Sequence, residues 1–296
     1  MQRLLDVPAP AKLNLFLHVT GRRADGYHEL QSVFRLIDWA DTLHFELRRD
    51  GQLSREDLHT TDGPALPEDD LCLRAARALR AASGCPLGAH IVLEKRIPQQ
   101  AGLGGGSSDA ASTLIALDRL WGLNWPHRAL IELGARLGAD VPFFLGGRNA
   151  WVEGIGERLT PLELPPARYA VVKPRAGTRT AAIYQAPDLE RDTPRAIMQD
   201  FVDACNATPG CLWGANVMQP VAVRLCPDVG AALQRLGRLG LSARMTGSGS
   251  AVFAVLTSDA DAQAVEQADW PDGWQVRICN GLSEHPLVGW QKDAII

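Results

Sequence analysis

Four glycines fall in five consecutive positions, Gly102, Gly104, Gly105 and Gly106, and two serines follow, Ser107 and Ser108. Residues 89–95 before them read as a strand, and the spacing predicts a helix over 107–121. Ser107 and Ser108 serve as candidate N-caps, Asp109 sits in the first turn, Ala110, Ala111, Leu114 and Ile115 share one face, and Gly122 stops the helix. A glycine cluster between a strand and a helix constrains the chain strongly. Glycine leaves no Cβ in the way of a ligand. The helix that follows presents unpaired N–H donors and a partial positive charge. Together these make an anion site, and phosphate is the usual anion. The pattern is neither a P-loop, because no Lys follows, nor a dinucleotide fingerprint, because Ser107 stands where the third Gly is required. The protein-kinase run H-R-D-L-x-x-x-N is also missing. A tight strand–helix connection needs one or two glycines, not four.

The rest of the chain supplies the setting. Leu13, Leu15, Leu17 and Val19 alternate with Lys12, Asn14, Phe16 and His18, the period of a strand with one buried face. Further strands are expected over 30–37 and 42–47, with a polar, turn-rich stretch over 49–70. Helices are expected over 71–82 and from Pro126 to about 137. Beyond 155, strands over 170–173, 241–245, 251–256 and 275–279 mix with helices over 194–204, 228–239 and 260–268. That order reads as an antiparallel sheet backed by helices, an α+β sandwich of ferredoxin type. At 296 residues the chain has room for two domains, here 1–155 and 156–296.

Composition narrows the function. Thirty Lys plus Arg against 34 Asp plus Glu give a net charge of −4, which argues against a nucleic-acid or anionic-membrane footprint. The six cysteines at 72, 85, 205, 211, 226 and 279 include no C-x-x-C pair, so reduced thiols in a cytoplasmic protein are expected. No apolar stretch suits a membrane span or a signal peptide.

Four further segments gather around the loop. Lys12 lies in Pro10-Ala11-Lys12-Leu13-Asn14, sharing a strand face with Asn14. Alone it is a solvated strand lysine. Asp140 lies in Gly138-Ala139-Asp140-Val141-Pro142, past a helix end and before an apolar, strand-like run. Alone it is a turn or capping aspartate, although a carboxylate suits the end of the preceding helix poorly. Thr246-Gly247-Ser248-Gly249-Ser250 alone is a hairpin turn, and Gly26-Tyr27-His28 alone is a surface turn.

In this order, the 10–14 segment, residues 98–108, the 138–142 segment and Thr246-Gly247-Ser248-Gly249 resemble the GHMP small-molecule kinases. Within that family, Gly21 to His28, Gly102 to Asp109 and Glu153-Gly154-Ile155-Gly156-Glu157 are most similar to the branch that phosphorylates the 2-hydroxyl of a cytidine diphosphate-linked methylerythritol, on the non-mevalonate route to isoprenoid precursors. The resemblance runs from residue 10 to about 255. It implies an N-terminal domain like ribosomal protein S5 domain 2 and a C-terminal GHMP domain. It implies ATP at Pro98, Gln99, Gln100, Ala101, Gly102, Leu103, Gly104, Gly105, Gly106, Ser107 and Ser108. A Mg2+ ion would travel with the ATP and touch Ser108. Lys12 and Asp140 would form the catalytic pair. Asn14, Tyr27, His28, Tyr184, Gly247 and Ser248 would meet the substrate, with Tyr27 and His28 toward the cytosine and Tyr184 as a second stacking ring. A monomer or a homodimer is expected.

The chain departs from the family pattern at Gln99 and Gln100, where Met and Gly are common, and at Val217 and Gln219, where two acids are usual. Rival readings are another GHMP kinase of mevalonate or homoserine type, a non-catalytic nucleotide-binding protein on this fold, and a dehydrogenase. The aromatic loop favours a substrate with a base to stack on, the presence of both Lys12 and Asp140 favours a live enzyme, and the missing third glycine disfavours a dinucleotide.

Overall fold

The computed structural model describes residues 2–59, 65–208 and 210–291. Two long strands, β1 (Arg3–Arg22) and β2 (His28–Arg48), pair antiparallel and form the spine of a six-stranded sheet. The two short strands expected over 30–37 and 42–47 are one strand. Its interruption at Asp38 to Ala40 is absorbed by a register shift opposite Pro10 and Ala11 rather than by a turn.

The polar segment after β2 contains β3 (Leu53–His59), which the sequence pattern hid. β3 is an edge strand, parallel to β4 (Gly88–Lys95), and helix α1 (Leu71–Ser83) makes the crossover between them. Polar residues are what an edge strand tolerates. Asp70 caps α1, its side chain accepting from the Leu73 N–H at 3.0 Å. Helix α2 (Gly105–Trp121) lies across β1 and β2, followed by α3 (His127–Ala135), α4 (Val141–Gly146) and the hairpin β5 (Ala150–Glu153) and β6 (Arg158–Pro161). Leu36, Phe45, Ile91 and Leu93 from the sheet pack against Leu114, Leu117, Leu130, Phe143 and Phe144 from the helices.

The second half carries β7 (Arg168–Lys173), helices α5 (Thr180–Gln185), α6 (Met198–Ala207), α7 (Gln219–Leu225) and α8 (Pro227–Arg238), then β8 (Ala243–Met245), β9 (Val252–Leu256), α9 (Asp259–Gln267) and β10 (Gln275–Asn280). The sheet order is β10-β7-β9-β8, antiparallel throughout. With the connecting helices this is the βαββαβ arrangement of a ferredoxin-like sandwich. The two sheets share a core in which Ala11, Leu13, Ile37 and Trp39 meet Tyr169, Val171, Phe253 and Cys279.

The chain does not divide cleanly at 155. That position falls in the β5–β6 turn, so the passage to the second sheet lies after Pro161. Residues 282–291 then return to the first half. The Leu282 N–H donates to the Leu36 carbonyl at 2.8 Å, the His285 N–H donates to the Gly147 carbonyl at 2.7 Å, and Leu287 joins the first core. Among the described residues no helix is long and apolar enough to cross a membrane.

Candidate active site

A cleft of about 1130 Å³ opens between the glycine loop, β1, the start of β2, α5 and the 246–249 turn. The loop is held from two sides. The Lys12 backbone N–H donates to the Leu103 carbonyl at 2.9 Å, and the Ser250 and Ala251 N–H groups donate to the Gln100 and Ala101 carbonyls, each at 3.1 Å. The two glycine-rich turns, 144 residues apart, are therefore zipped together.

The glycines serve different needs. Gly102 has φ +73°, and a Cβ there would stand 2.2 Å from the Thr246 carbonyl oxygen, so only glycine lets the two turns meet. Gly104 is the N-cap of α2, also at φ +73°, with Phe144 and Lys12 pressed against it. Gly106 has open space instead, its nearest neighbour being Leu71 Cδ1 at 3.5 Å. The helix thus begins two residues before Ser107, and neither serine caps it. Gln100 adopts φ +52°, a conformation that glycine takes more cheaply, and its side chain lies where a Cβ on Gly177 would be. The bulk of Gln100 is accommodated by that second glycine.

Lys12 and Asp140 are brought together, with Nζ and Oδ2 3.6 Å apart. The lysine is nearly enclosed while the carboxylate is half open to the cleft. Lys12 Nζ also donates to Asn14 Oδ1 and stands 4.6 Å from the centroid of the Phe34 ring. Burial lowers the lysine pKa from its ordinary value, and Asp140 opposes that shift. The run after Asp140 is a short helix rather than a strand, because Pro142 at its first turn suits a helix start. Asp140 therefore stands at the N-cap position of α4, yet its side chain makes no capping bond and stays turned to Lys12. Asn14 is fixed by its Nδ2 donating to Ser32 Oγ at 2.9 Å and by its backbone N–H donating to Thr246 Oγ1 at 2.8 Å.

At the other end of the cleft, His28 stacks on Tyr184, with ring centroids 4.7 Å apart and an interplanar angle of 18°. Arg191 Nε donates to His28 Nε2 at 3.2 Å. A guanidinium can only donate, so Nε2 is the acceptor and the proton of the neutral imidazole sits on Nδ1. Burial, Arg191 and Arg22 all lower the His28 pKa. Burial and Asp140 push the Tyr184 phenol up to about 12. Tyr27 is 60% exposed and lines the cleft, its ring unstacked among the described residues. Gly247 and Ser248 form its far wall, Ser248 held by Thr178 and Thr180 at 2.6 Å each. Gln219, at one of the departures from the family pattern, accepts from the Met245 N–H at 2.9 Å and so supports the same turn.

All the expected site residues line the cleft except Ser108, which is wholly buried. Its Oγ has no hydrogen-bond partner among the described residues and points into the helix packing, because the earlier helix start rotates it inward. Ser107 takes its place at the cleft wall. Ser107, rather than Ser108, is the serine that faces the cleft. Among the described residues no group of three His, Cys, Asp or Glu could cage a metal. Ser107 and Asp140, among the oxygens that line the cleft, would suit a magnesium ion that arrives with nucleotide phosphates, which is how this ion is usually bound.

Under the loop lies a group that no sequence motif marks. Lys95 Nζ bonds Asp109 Oδ2 at 2.6 Å and also Asp41 Oδ2, all three side chains buried. Asp41 Oδ1 accepts from the Ile97 N–H at 2.7 Å. Burial works against the lysine charge, but Asp109 and Asp41 outweigh it and hold its pKa above the ordinary value. Burial raises the Asp109 pKa well above the carboxylate range, with Lys95 opposing. The signal was present in the sequence: Lys95 continues the inward face of Ala89, Ile91 and Leu93 on β4.

A cleft between two α+β halves, with a phosphate-type loop on one side and a Lys–Asp pair in its wall, defines a small-molecule kinase of the GHMP type, and the chain belongs to the GHMP kinase family. The model of the GHMP kinase N-terminal domain matches residues 70–148 and that of the C-terminal domain residues 203–268. The chain is 59% identical to the 4-diphosphocytidyl-2-C-methyl-D-erythritol kinase of Paracidovorax citrulli, over 99% of each chain. It is 60% identical to the protein of the same name from Albidiferax ferrireducens, over 98% of this chain and 96% of that one. A crystal structure of a 4-(cytidine 5′-diphospho)-2C-methyl-D-erythritol kinase superposes with a TM-score of 0.78 at 36% identity, covering 95% of this chain and all of the other.

Proposed function

We infer that this chain transfers the γ-phosphoryl group of ATP to the 2-hydroxyl of 4-diphosphocytidyl-2-C-methyl-D-erythritol, a step toward isoprenoid precursors by the non-mevalonate route, and that it works in the cytoplasm. The observation that carries the reading is the placement of two recognition ends on either side of one Lys–Asp pair. The α2 N-terminus and the 102–106 loop suit the phosphates of ATP, and the apolar wall of Leu66, Pro67 and Leu71 beyond them suits a purine. The Tyr27, His28 and Tyr184 end suits a base. His28 Nδ1–H offers a donor to the N3 and O2 acceptors of a cytosine, and the exposed Tyr27 ring offers a stacking face, an interaction worth about 1–3 kcal/mol per base.

Phosphoryl transfer needs positioning and charge neutralisation more than covalent chemistry from the protein. Asp140 is the group that accepts the proton of the 2-hydroxyl. Lys12, whose charged form Asp140 favours and burial opposes, would neutralise charge on the phosphoryl group in flight. Asn14 holds the Lys12 ammonium in place. Ser107 and Asp140 would hold a nucleotide-borne magnesium ion, which would screen the phosphate charges. The test is phosphorus NMR of the purified protein with ATP, magnesium and the diphosphocytidyl substrate. A new phosphomonoester signal is expected with this substrate and not with mevalonate or homoserine. Its absence would overturn the assignment.

A further inference from the structure

A second cavity, of about 400 Å³, lies on the opposite side of β1 from the cleft, between β1 and β2 in front, β7 and β9 behind, and α6 with the 210–213 segment at the side. Its wall is apolar: Leu15, Tyr169, Phe201, Leu212, Trp213 and Val255. A single charged side chain, Arg35, is among the described residues lining it. Arg35 is 2% exposed and its side chain has neither a hydrogen bond nor an ion pair among the described residues, its Nε being enclosed and unpartnered. The chain makes room for it, since a Cβ on Gly281 would stand 2.3 Å from the Arg35 Nη2.

A buried cation without a counter-charge is costly, and buried charges are normally paired. The other enclosed arginine nearby, Arg244, shows how the fold treats one that is structural: its guanidinium donates to the carbonyls of Leu15, Leu212, Trp213 and Gly214. Arg35 has no such set: its guanidinium lies against Gly281, with Tyr169 and Cys205 beside it, and lines the cavity. Burial lowers its pKa from the ordinary arginine value. The missing partner is an anion. A guanidinium offers a planar fork of donors that fits a carboxylate or a phosphate. The apolar wall sets the rest of the ligand, and a volume of this size is that of a small-molecule pocket. Asn206, Thr208 and Cys211 are exposed at the rim and give a way in.

We propose that this cavity is a binding site for a small anionic amphiphile, its carboxylate or phosphate head on Arg35 and its apolar tail between Phe201, Trp213 and Val255. The site is separate from the phosphoryl-transfer cleft, so its test does not depend on the substrate assigned above. Calorimetric titration of the whole protein with octanoate, octyl phosphate and octanol reads it directly. One site per chain is expected for octanoate or octyl phosphate, with the tighter of the two naming the head group, and octanol at least tenfold weaker. Arg35→Leu, which replaces the cation with an apolar group, is expected to weaken the anionic probes at least tenfold while kinase turnover is unchanged. Val255→Phe keeps the cation and fills the tail space, and the same tenfold loss is expected should Arg35→Leu fail to fold. Unchanged binding in a folded variant, octanol binding as well as octanoate, or no saturable binding to the wild type would overturn the site and leave Arg35 as a hydrated cation.

Discussion

Lys95 gives the sharpest test of how the phosphate loop is held. Its ammonium sits between Asp41 and Asp109, and the backbone of Gly105 passes directly over it. Lys95→Met keeps the length of the side chain and removes the charge, leaving two buried carboxylates without a cation. Removing one partner of a buried ion pair costs about 3–5 kcal/mol. For a chain of 296 residues, an unfolding entropy of about 2.1 cal/mol/K per residue turns that into a fall of about 5–8 °C in Tm. The pH dependence follows from proton binding. With Lys95 gone, the native carboxyls hold protons more tightly than the unfolded chain does, so the native state binds more protons and is stabilised as pH falls. The deficit relative to wild type should therefore shrink between pH 7.5 and pH 5.5. Lys95→Arg, which keeps a cation, should recover most of the loss. Thermal unfolding of the three proteins at the two pH values decides the matter. A Lys95→Met protein within about 1 kcal/mol of wild type at pH 7.5, or a deficit that does not shrink on acidification, would refute the reasoning.

Three further outcomes are expected. Gly102→Ala should destabilise the protein, because φ +73° alone costs an L-residue about 1–2 kcal/mol and the new Cβ meets the Thr246 carbonyl, whereas Gly106→Ala should leave Tm unchanged or higher; equal effects on Tm would contradict the separate roles of these glycines. His28 is held neutral by burial first and by Arg191 second. The KM for the cytidyl substrate should rise as pH falls through the lowered His28 pKa, while the KM for ATP does not, and Arg191→Met should move that rise to higher pH; an unmoved profile would contradict the assigned tautomer. Burial pulls the enclosed His285 imidazole down to about 3, against about 6.5 when unfolded, so the unfolded chain binds more protons in that interval and stability is lost as pH falls, by up to about 1.4 kcal/mol per unit. Denaturant titrations of His285→Asn from pH 7 to pH 4.5 should show a slope shallower by one proton, and an identical slope would remove His285 from the acid response.

Much of the fold and site was legible because it is written in local patterns. Glycine spacing, helix stops and the period-two run of β1 located the loop, α2 and the strand that carries Lys12. What escaped was set by tertiary context. β3 reads as a polar loop because an edge strand has only one neighbour and little to bury. The run from Val141 to Leu145 reads as a strand because five apolar residues have no period long enough to tell strand from helix, and Pro142 decides it. The serines after the glycine loop look like caps, but the helix starts earlier, and one residue of rotation buries Ser108 and leaves Ser107 in the cleft. The stacking of His28 on Tyr184 and the zipping of the 246–250 turn to the 100–102 segment join positions far apart in the chain, which no local spacing can announce.

The central claim is that Asp140 takes the hydroxyl proton while the glycine loop holds the nucleotide independently of it. Asp140→Asn keeps the shape of the side chain and removes its basicity. Paired measurements of turnover and of ATP affinity by calorimetry test the claim most directly. A fall in kcat of about 10²–10⁴-fold, the range for a lost general base, is expected, with ATP affinity close to wild type. Near wild-type turnover in Asp140→Asn, with ATP still bound, would contradict it.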